Sequence, residues 1–365
     1  MENLMATRLL IDAAYSEETR VVVVSGTRLD EFDFESSNKK QLKGNIYLAK
    51  VMRVEPSLQA AFVDYGGNRH GFLAFADIHP DYYQIPVADK KALLEQRAAE
   101  ELARRMSEEA EEQSAAQDEE QEELSDDDQS TNAEDQSEET IEKTEVEAAV
   151  ESEVAKPRTP IRRYKIQEVI KRRQVLLIQV SKEERGSKGA ALTTYVSLAG
   201  RYCVLMPNTA RGGGVSRKIS IPKDRKRLRD IIDTLGVPEG MGLIVRTAGQ
   251  ERTKADIRRD FEYLLRVWNT VRDLTLESTA PSLVYEEADL IKRSIRDLYS
   301  GNISEVLVEG EDGYKLAKSI MKMFMPSHAK RVQKYSDRIP LFHRYQVEQQ
   351  LDQMHNQTVQ LRSGG

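Results

Sequence analysis

The sequence has one cysteine and no long apolar run, and each of these two features excludes a class of protein. The single cysteine, Cys203, excludes an internal disulfide and a cysteine-rich zinc site within this chain, which fits a reducing compartment. No run of about 18 apolar residues is present, and the first eight residues lack the basic and apolar stretches of a secretory signal. We therefore expect a cytoplasmic protein without a transmembrane segment.

Acidic residues are concentrated in one tract. Between residues 106 and 156 stand 21 acidic side chains and one basic side chain, Lys143, so the tract carries −20. Because the whole chain carries −7, the remainder carries +13. A basic folded part favours a polyanionic partner, since phosphate contacts are local and are driven by counterion release. Dispersed cations that only solvate the surface are the alternative from charge alone.

The acidic tract, from about residue 107 to residue 155, contains no aromatic residue and very few large aliphatic ones, and the insertion that contains it covers about residues 95–156. It cannot bury enough apolar area to offset the entropy of ordering it, so we expect disorder, with some helix over 91–106. Closing a flexible loop costs only about 0.6 kcal/mol per doubling of its length, so a folded domain tolerates such an insertion. We hypothesise that the tract competes electrostatically with a polyanionic partner for the basic surface.

Short strands are predicted on both sides of this tract, and together they predict one small barrel. Five short strands with one long interrupting loop are typical of an oligonucleotide-binding (OB) barrel. The predicted strands cover 44–54, 58–65, 70–73, 175–180 and 190–198.

One predicted hairpin of this barrel carries three aromatic residues, Phe62, Tyr65 and Phe72, beside basic ones. An exposed aromatic ring gains about 1 to 3 kcal/mol per stacked base whatever the base sequence, so these three predict binding of single-stranded nucleic acid. Lys188 lies between the fourth and fifth strands, in a loop that such barrels use on nucleic acid. We expect it to contact a phosphate, with a solvated loop lysine as the alternative.

Three further strands precede the barrel, at 8–14, 19–24 and 28–34, and they cannot form a stable domain alone. We expect residues 283–349 to complete their sheet, because strand and helix patterns alternate there. The predicted fold class is therefore α/β (mixed), with the barrel inserted into an α/β domain.

Residues 202–276 predict a third unit, with a strand over 202–207, a helix over 222–235 and a long amphipathic helix over 254–276. The apolar stripe of the long helix, which includes Trp268, is interpreted as core. Arg246 and Thr247 end a buried strand before a loop of small residues, an arrangement that suits a terminal phosphate. Arg217, after a run of three glycines, could reach the same anion. Strand ends of this kind without a ligand are the alternative.

Catalytic residues are not found. The five histidines show no metal-ligand spacing, no acidic cluster is arranged to hold magnesium, and the serines lack a nucleophile-elbow context. By its residues alone the chain is interpreted as a binder.

Several segments together resemble the ribonuclease E/G family, and they extend over nearly the whole chain outside the acidic tract. Among them are Leu58-Gln59-Ala60-Ala61-Phe62-Val63-Asp64-Tyr65-Gly66, His70-Gly71-Phe72-Leu73, Ser197-Leu198-Ala199-Gly200, Leu205-Met206-Pro207-Asn208 and the run from 240 to 249. The resemblance implies an RNase-H-like subdomain (1–40 and 286–354) split by an inserted OB-fold β-barrel (41–194) of the ribosomal-protein S-one type. It also implies an α+β 5′-sensor subdomain (195–285) and the start of a DNase-I-like subdomain (355–365).

The resemblance also implies roles for individual residues. RNA contacts of the barrel fall on Phe62, Phe72 and Lys188, with Tyr65 adjoining. The grip on a 5′-monophosphate falls on Arg246 and Thr247, with Gly200, Val204 and Arg217 around the terminal nucleotide.

The implied activity is that of a single-strand-specific endoribonuclease that senses a 5′-monophosphate in RNA processing and mRNA decay. The implied Mg²⁺ and structural Zn²⁺ sites fall beyond residue 365, so this segment is expected to supply binding and sensing without catalytic residues. A homotetramer of the intact protein and contact with RNA-degradosome proteins are implied as well. The acidic insertion favours the ribonuclease E branch of the family. A non-catalytic single-stranded RNA-binding protein is the alternative.

Overall fold

The computed structural model describes most of the chain outside the acidic tract. The chain divides into two units, one formed by Met1–Tyr82 with Ile166–Gly365 and the other by Tyr83–Lys165. The predicted disorder of the acidic tract, and most of the predicted helix over 91–106, lie outside the described residues. The described residues are 6–15, 17–36, 41–86, 89–90, 93, 164–184, 188–209, 213–287, 289–356 and 358.

The first sheet of the larger unit joins the beginning of the chain to its later part. β1, β2 and β3 form an antiparallel meander, while β14 and then β15 add in parallel beside β1, which gives the order β15-β14-β1-β2-β3. The prediction that a later segment completes the N-terminal sheet is thereby confirmed. The strands are β1 (Thr7–Tyr15), β2 (Glu18–Ser25), β3 (Arg28–Ser36), β14 (Ile303–Glu309) and β15 (Val332–Lys334).

A closed five-stranded barrel follows, as the sequence predicts for an OB-like fold. β4 pairs with both β5 and β7, and the circuit continues through β6 and β8, so every barrel strand has two neighbours. The strands are β4 (Ile46–Glu55), β5 (Ala60–Asp64), β6 (Gly71–Ala74), β7 (Val175–Lys182) and β8 (Ala191–Thr193), with the short helix α1 (Ile166–Val169) before β7.

One predicted strand belongs to a different sheet from the one expected. β13 (Ser282–Tyr285) pairs antiparallel with β4 of the barrel, so the expectation that 283–285 joins the N-terminal sheet is wrong. β13 begins soon after the long helix ends and lies beside the first residues of β4. No local pattern in the sequence specifies this pairing.

A third sheet has the order β11-β12-β10-β9 and packs against the long amphipathic helix. Its strands are β9 (Leu198–Ala199), β10 (Cys203–Met206), β11 (Gly214–Val215) and β12 (Gly242–Val245), and its helices are α2 (Pro222–Leu235) and α3 (Lys254–Glu277). Both helices agree with the predicted ranges. The apolar stripe of α3, with Trp268 partly buried, packs into the main core, so its interpretation as core is confirmed.

The remaining helices cover the N-terminal sheet. They are α4 (Leu290–Asp297), α5 (Glu311–Phe324), α6 (Leu341–Arg344) and α7 (Val347–Met354). Side chains of α4 and α5 pack with one face of the sheet in the main core, while Leu341, Phe342 and Val347 pack with Leu10 and Val22 in a second cluster. In the described part of the chain, no helix combines the length and apolarity needed to cross a membrane.

Candidate nucleic-acid interface

Two of the predicted aromatic residues form a pair on the outside of the barrel. Along β5 the side chains alternate, with Ala61 and Val63 buried and Phe62 half-buried. Phe72 lies opposite Phe62 on β6, and the two ring centroids are 6.1 Å apart at an interplanar angle of 73°. Side chains directly opposite on antiparallel strands share one face of the sheet, so this pair presents apolar ring surface to the exterior.

A cation lies beside this aromatic pair. Arg53 of β4 is the cross-strand partner of Phe62, and its guanidinium carbon is 4.9 Å from the centre of the Phe62 ring. The Arg53 side chain is 66% exposed, and the nearest Glu55 carboxylate oxygen is 3.7 Å away. An exposed ion pair at that distance contributes little, so the positive charge remains accessible to an anion. We call Arg53, Phe62 and Phe72 the stacking face.

Lys188 is exposed and lies three residues before β8. The next residue, Gly189, lies so close to the backbone of His70 that a Cβ on it would be 2.1 Å from the His70 carbonyl oxygen. Phe72 donates its backbone N–H to the Ala190 carbonyl at 2.8 Å. These contacts bring the backbone next to Lys188 to the start of β6, the strand that carries Phe72.

The third predicted aromatic residue is not part of this face. Tyr65 is only 1% exposed, because its ring packs edge-on against Tyr47 with 5.2 Å between centroids. Its hydroxyl donates a 2.8 Å hydrogen bond to Oε1 of Glu184, and burial together with this carboxylate raises the pKa of Tyr65. A ring enclosed in this way cannot stack on a base, so the prediction of Tyr65 as an exposed stacking residue is wrong.

The residues predicted for a terminal phosphate meet at one end of the third sheet. β12 ends at Val245, after which Arg246 donates its backbone N–H to the Tyr202 carbonyl at 2.8 Å and Thr247 begins a tight turn that ends at Gly249. Thr247 is exposed. The Arg246 side chain donates from Nη1 to the Gly200 carbonyl at 2.8 Å, and its Nη2 is 2.7 Å from Oδ1 of Asp297. We call residues 246–249 the arginine turn.

The neighbouring strands bring the other three predicted residues to the same end of the sheet. Val204 lies on β10, half-buried and opposite Ile244 of β12. Arg217 is exposed two residues after β11, whose Val215 pairs with Val245. Gly200 directly follows β9. Their roles at a 5′ end stay predictions, since the structure fixes positions only.

An aspartate that the sequence analysis missed holds the neighbouring turn at residues 200–203, which contacts Arg246 through the Tyr202 and Gly200 carbonyls. The Asp260 carboxylate accepts backbone N–H groups from Arg201 at 3.1 Å, Tyr202 at 2.8 Å and Cys203 at 2.9 Å. A Cβ on Gly200 would be 2.5 Å from Oδ2 of Asp260, so only glycine fits there without rearrangement. Burial raises the pKa of Asp260, while the three N–H groups act in the opposite direction. The available signal was a carboxylate one residue before Phe261, within the apolar stripe of α3.

The second missed residue is Asp297, which bridges two arginines. Its Oδ2 accepts from Nη2 of Arg296 at 2.9 Å, and its Oδ1 faces Arg246. Although burial acts to raise it, the bonds from Arg296 and Arg246 lower the pKa of Asp297 below its ordinary value. The guanidinium predicted to bind phosphate is therefore already paired with an ionised carboxylate, which weakens its field toward a second anion.

In the part of the chain that the structure describes, no group of three or more His, Cys, Asp or Glu side chains is arranged to hold a metal ion. The residues named above offer hydrogen-bond donors, cations and ring faces. Together these groups suit a nucleic acid, whose phosphates accept hydrogen bonds and whose bases stack on rings.

Comparison with known proteins identifies relatives over nearly the entire chain. The model of the Ribonuclease E/G family matches residues 197–365. The chain is 36% identical over 358 residues to ribonuclease E of Haemophilus influenzae, which covers 98% of this chain and 31% of that protein. A putative ribonuclease E of Buchnera aphidicola is 31% identical over 359 residues, 98% of this chain and 70% of the relative. Ribonuclease G of Escherichia coli is 27% identical over 361 residues, 99% of this chain and 59% of that protein.

The chain spans about a third of the length of the first curated relatives it matches. The identity is higher to ribonuclease E than to ribonuclease G, which agrees with the branch that the acidic insertion favours. On this similarity and coverage, the chain belongs to the ribonuclease E/G family.

Proposed function

We propose that this chain is the RNA-holding part of a ribonuclease E-type endoribonuclease that prefers single-stranded RNA with a 5′-monophosphate. The relatives named ribonuclease E support the endoribonuclease part of the proposal. The arginine turn is the observation that carries the sensing part, because it presents a guanidinium and an exposed hydroxyl at a strand end. Arginine offers paired N–H donors to a phosphate, and Thr247 offers a third group.

The stacking face supports the single-strand part of the proposal. Phe62 and Phe72 offer ring surface beside Arg53, the backbone next to Lys188 lies at the start of β6, and aromatic rings flanked by cations bind unpaired bases with little sequence preference. A duplex hides its base faces, so this surface selects unpaired strands. The two basic side chains would contact backbone phosphates of RNA bound to this surface.

Each sheet of the fold corresponds to one proposed subdomain. We propose that the sheet β15-β14-β1-β2-β3 forms an RNase-H-like subdomain (1–40 and 286–354) and that the barrel is an OB fold (41–194). The sheet with α2 and α3 is proposed as the 5′-sensor (195–285), and residues 355–365 as the start of a DNase-I-like subdomain. Homotetramer formation, contact with degradosome proteins and a cytoplasmic location are proposals for the whole protein.

The residues of the stacking face and the arginine turn are not proposed to bind a metal ion. The described residues offer no cluster of metal ligands, so they do not fit the Mg²⁺ or Zn²⁺ that the family implies, and no step through either ion is assigned to them. Both ions remain proposals for the whole protein. Incubating the full-length protein with unstructured RNA and Mg²⁺ tests cleavage, and binding without cleavage would favour the non-catalytic alternative.

The sensing proposal is tested with two RNAs that differ only in a 5′-phosphate or a 5′-hydroxyl. The wild-type chain should bind the phosphorylated RNA more tightly, and Arg246→Ala should remove that preference while leaving the affinity for the hydroxyl form nearly unchanged. Arg246→Lys keeps the charge without the paired donors and should retain part of it. Arg272→Ala removes an exposed arginine on α3 and serves as the control. Equal binding of both RNAs by the wild-type chain would contradict the proposal.

A further inference from the structure

A concentration of positive charge begins just after β11 and continues into α2. Between Arg217 and Asp230 stand seven basic and two acidic side chains, so this segment carries +5 in a chain whose net charge is −7. Of these seven, only Arg217 has a role among the residues predicted for the 5′ end. Such a run of charges usually only solvates the surface. It indicates a binding surface under two conditions: the charges are unpaired, and they lie beside a site for a polyanion.

Three lysines of this segment meet the first condition. Lys218, Lys223 and Lys226 are exposed, and they form no ion pair with any residue that the structure describes. Lys223 and Lys226 are three residues apart and therefore neighbours on one side of α2. The opposite side is fixed by the buried Leu228 and Ile231. We call Lys218, Lys223 and Lys226 the lysine face.

The second condition is met because α2 is fastened to the chain that follows the arginine turn. Arg227 donates from Nη1 to the Arg252 carbonyl at 3.2 Å and from Nη2 to the Gln250 carbonyl. The Gln250 side chain donates to Oδ2 of Asp224 at 2.8 Å. On the other side, Ser216 donates its backbone N–H to the Val245 carbonyl at 2.9 Å. The first half of α2 and the residues leading into it thus border the arginine turn at both ends.

We infer that the lysine face is a second RNA contact, which binds backbone phosphates of the strand whose 5′ end lies at the arginine turn. This inference rests on the proposed function. The chemistry is suitable because a lysine ammonium is a compact charge that neutralises a phosphate without requiring fixed geometry. Binding releases counterions from the strand, so the contribution is independent of base sequence and depends on salt.

The test replaces all three lysines with glutamine. Dissociation constants for a 5′-phosphorylated RNA of about 12 nucleotides and its 5′-hydroxyl form are measured between about 50 and 300 mM salt. Each phosphate contact adds about 0.7 to the slope of log K against log salt for single strands, so the slope should fall by about 2. The affinity near 0.1 M salt should fall at least about 10-fold, equally for both RNAs.

Two controls separate the lysine face from general charge and from the arginine turn. Lys322→Gln, Lys330→Gln and Arg338→Gln together remove three exposed cations from the other end of the chain and should change neither slope nor affinity. A nucleoside 5′-monophosphate has no further phosphates to reach the lysines, so the lysine variant should bind it as the wild type does. Unfolding midpoints confirm that each variant folds.

An unchanged slope in the lysine variant, or an equal loss in the control variant, would overturn the inference. Failure of the proposed function has a different outcome. If both RNAs bind the wild-type chain equally while the lysine variant still loses slope, the lysine face stands as an RNA contact and the sensing proposal fails.

Discussion

The paired rings of the stacking face offer a quantitative test of base stacking on the barrel. The perturbation is the double substitution Phe62→Leu and Phe72→Leu, which keeps apolar volume on the two strands but removes the flat ring surfaces. Leucine continues to cover the barrel between β5 and β6, so the loss should be specific to stacking.

The expected magnitude follows from how much of each ring is free. The Arg53 guanidinium lies 4.9 Å from the centre of the Phe62 ring, and the two rings meet at 73° rather than standing separately. Each ring therefore offers a base little more than one face, and the low end of the stacking range applies, about 1 kcal/mol per base. Two rings then contribute about 2 kcal/mol, which is roughly 30-fold in Kd.

The assay is fluorescence anisotropy with a labelled, unstructured 5′-hydroxyl RNA, so that sensing of the 5′ end does not contribute. A matched control exists on β3, where Phe32 and Phe34 form another partly exposed aromatic pair, with centroids 5.9 Å apart. Replacing both by leucine should leave the Kd unchanged. Loss of either ring pair costs the fold about 1 kcal/mol, measured by urea unfolding.

A fall in affinity of less than about threefold, below about 0.7 kcal/mol, would refute the stacking argument. An equal fall in the β3 control would also refute it, since the effect would then come from stability alone. The salt slope should not change in the double variant because no charge is removed.

Three further variants test the remaining contacts. Tyr65→Phe removes the bond to Glu184 and should lower the unfolding free energy by about 1 kcal/mol without changing RNA affinity in a titration. Asp297→Asn removes a carboxylate from Arg246 and should tighten binding of a nucleoside 5′-monophosphate several-fold, as calorimetry would show. Because its folded pKa is lowered, the stability that Asp297 adds is present above its ordinary pKa and lost as pH falls through the lowered value. The unfolding free energies of wild type and variant should therefore begin to converge as pH falls below about 4. Asp260→Asn should destabilise the fold by about 3 kcal/mol in urea unfolding, since buried donors lose a charged acceptor.

Much of the fold was predictable because its signals are local. The helix α2 has Pro222 at its first position and Gly236 after its last, at φ +65°, and both ends agree with the sequence. The barrel strands follow from alternation between turn residues. The assembly of the N-terminal sheet was predictable because three strands are the minimum for a stable sheet, and their apolar face must be covered by further elements.

Two errors have different causes. β13 was assigned to the wrong sheet because pairing between distant strands leaves no local signal. Tyr65, in contrast, was misplaced although the sequence held the answer. Along a strand that continues from Phe62, every second side chain shares its face, so Tyr65, three positions later, falls on the inner face with Val63. Counting positions would have separated the buried ring from the exposed one.

The contacts of Asp260 could not be predicted from the sequence, although they position the residues of the proposed site. Its three N–H partners stand 57 to 59 residues earlier in the chain, so no spacing announces the contact. The turn that Asp260 holds also supplies the Gly200 carbonyl that receives Arg246. Because one buried carboxylate orders both the core and, through the Gly200 carbonyl, the Arg246 guanidinium, a variant at Asp260 should lose stability together with the proposed 5′ preference. Arg246→Ala should lose the preference with a much smaller loss of stability, because Asp297 keeps its pair with Arg296, and this difference separates a positioning residue from a binding one.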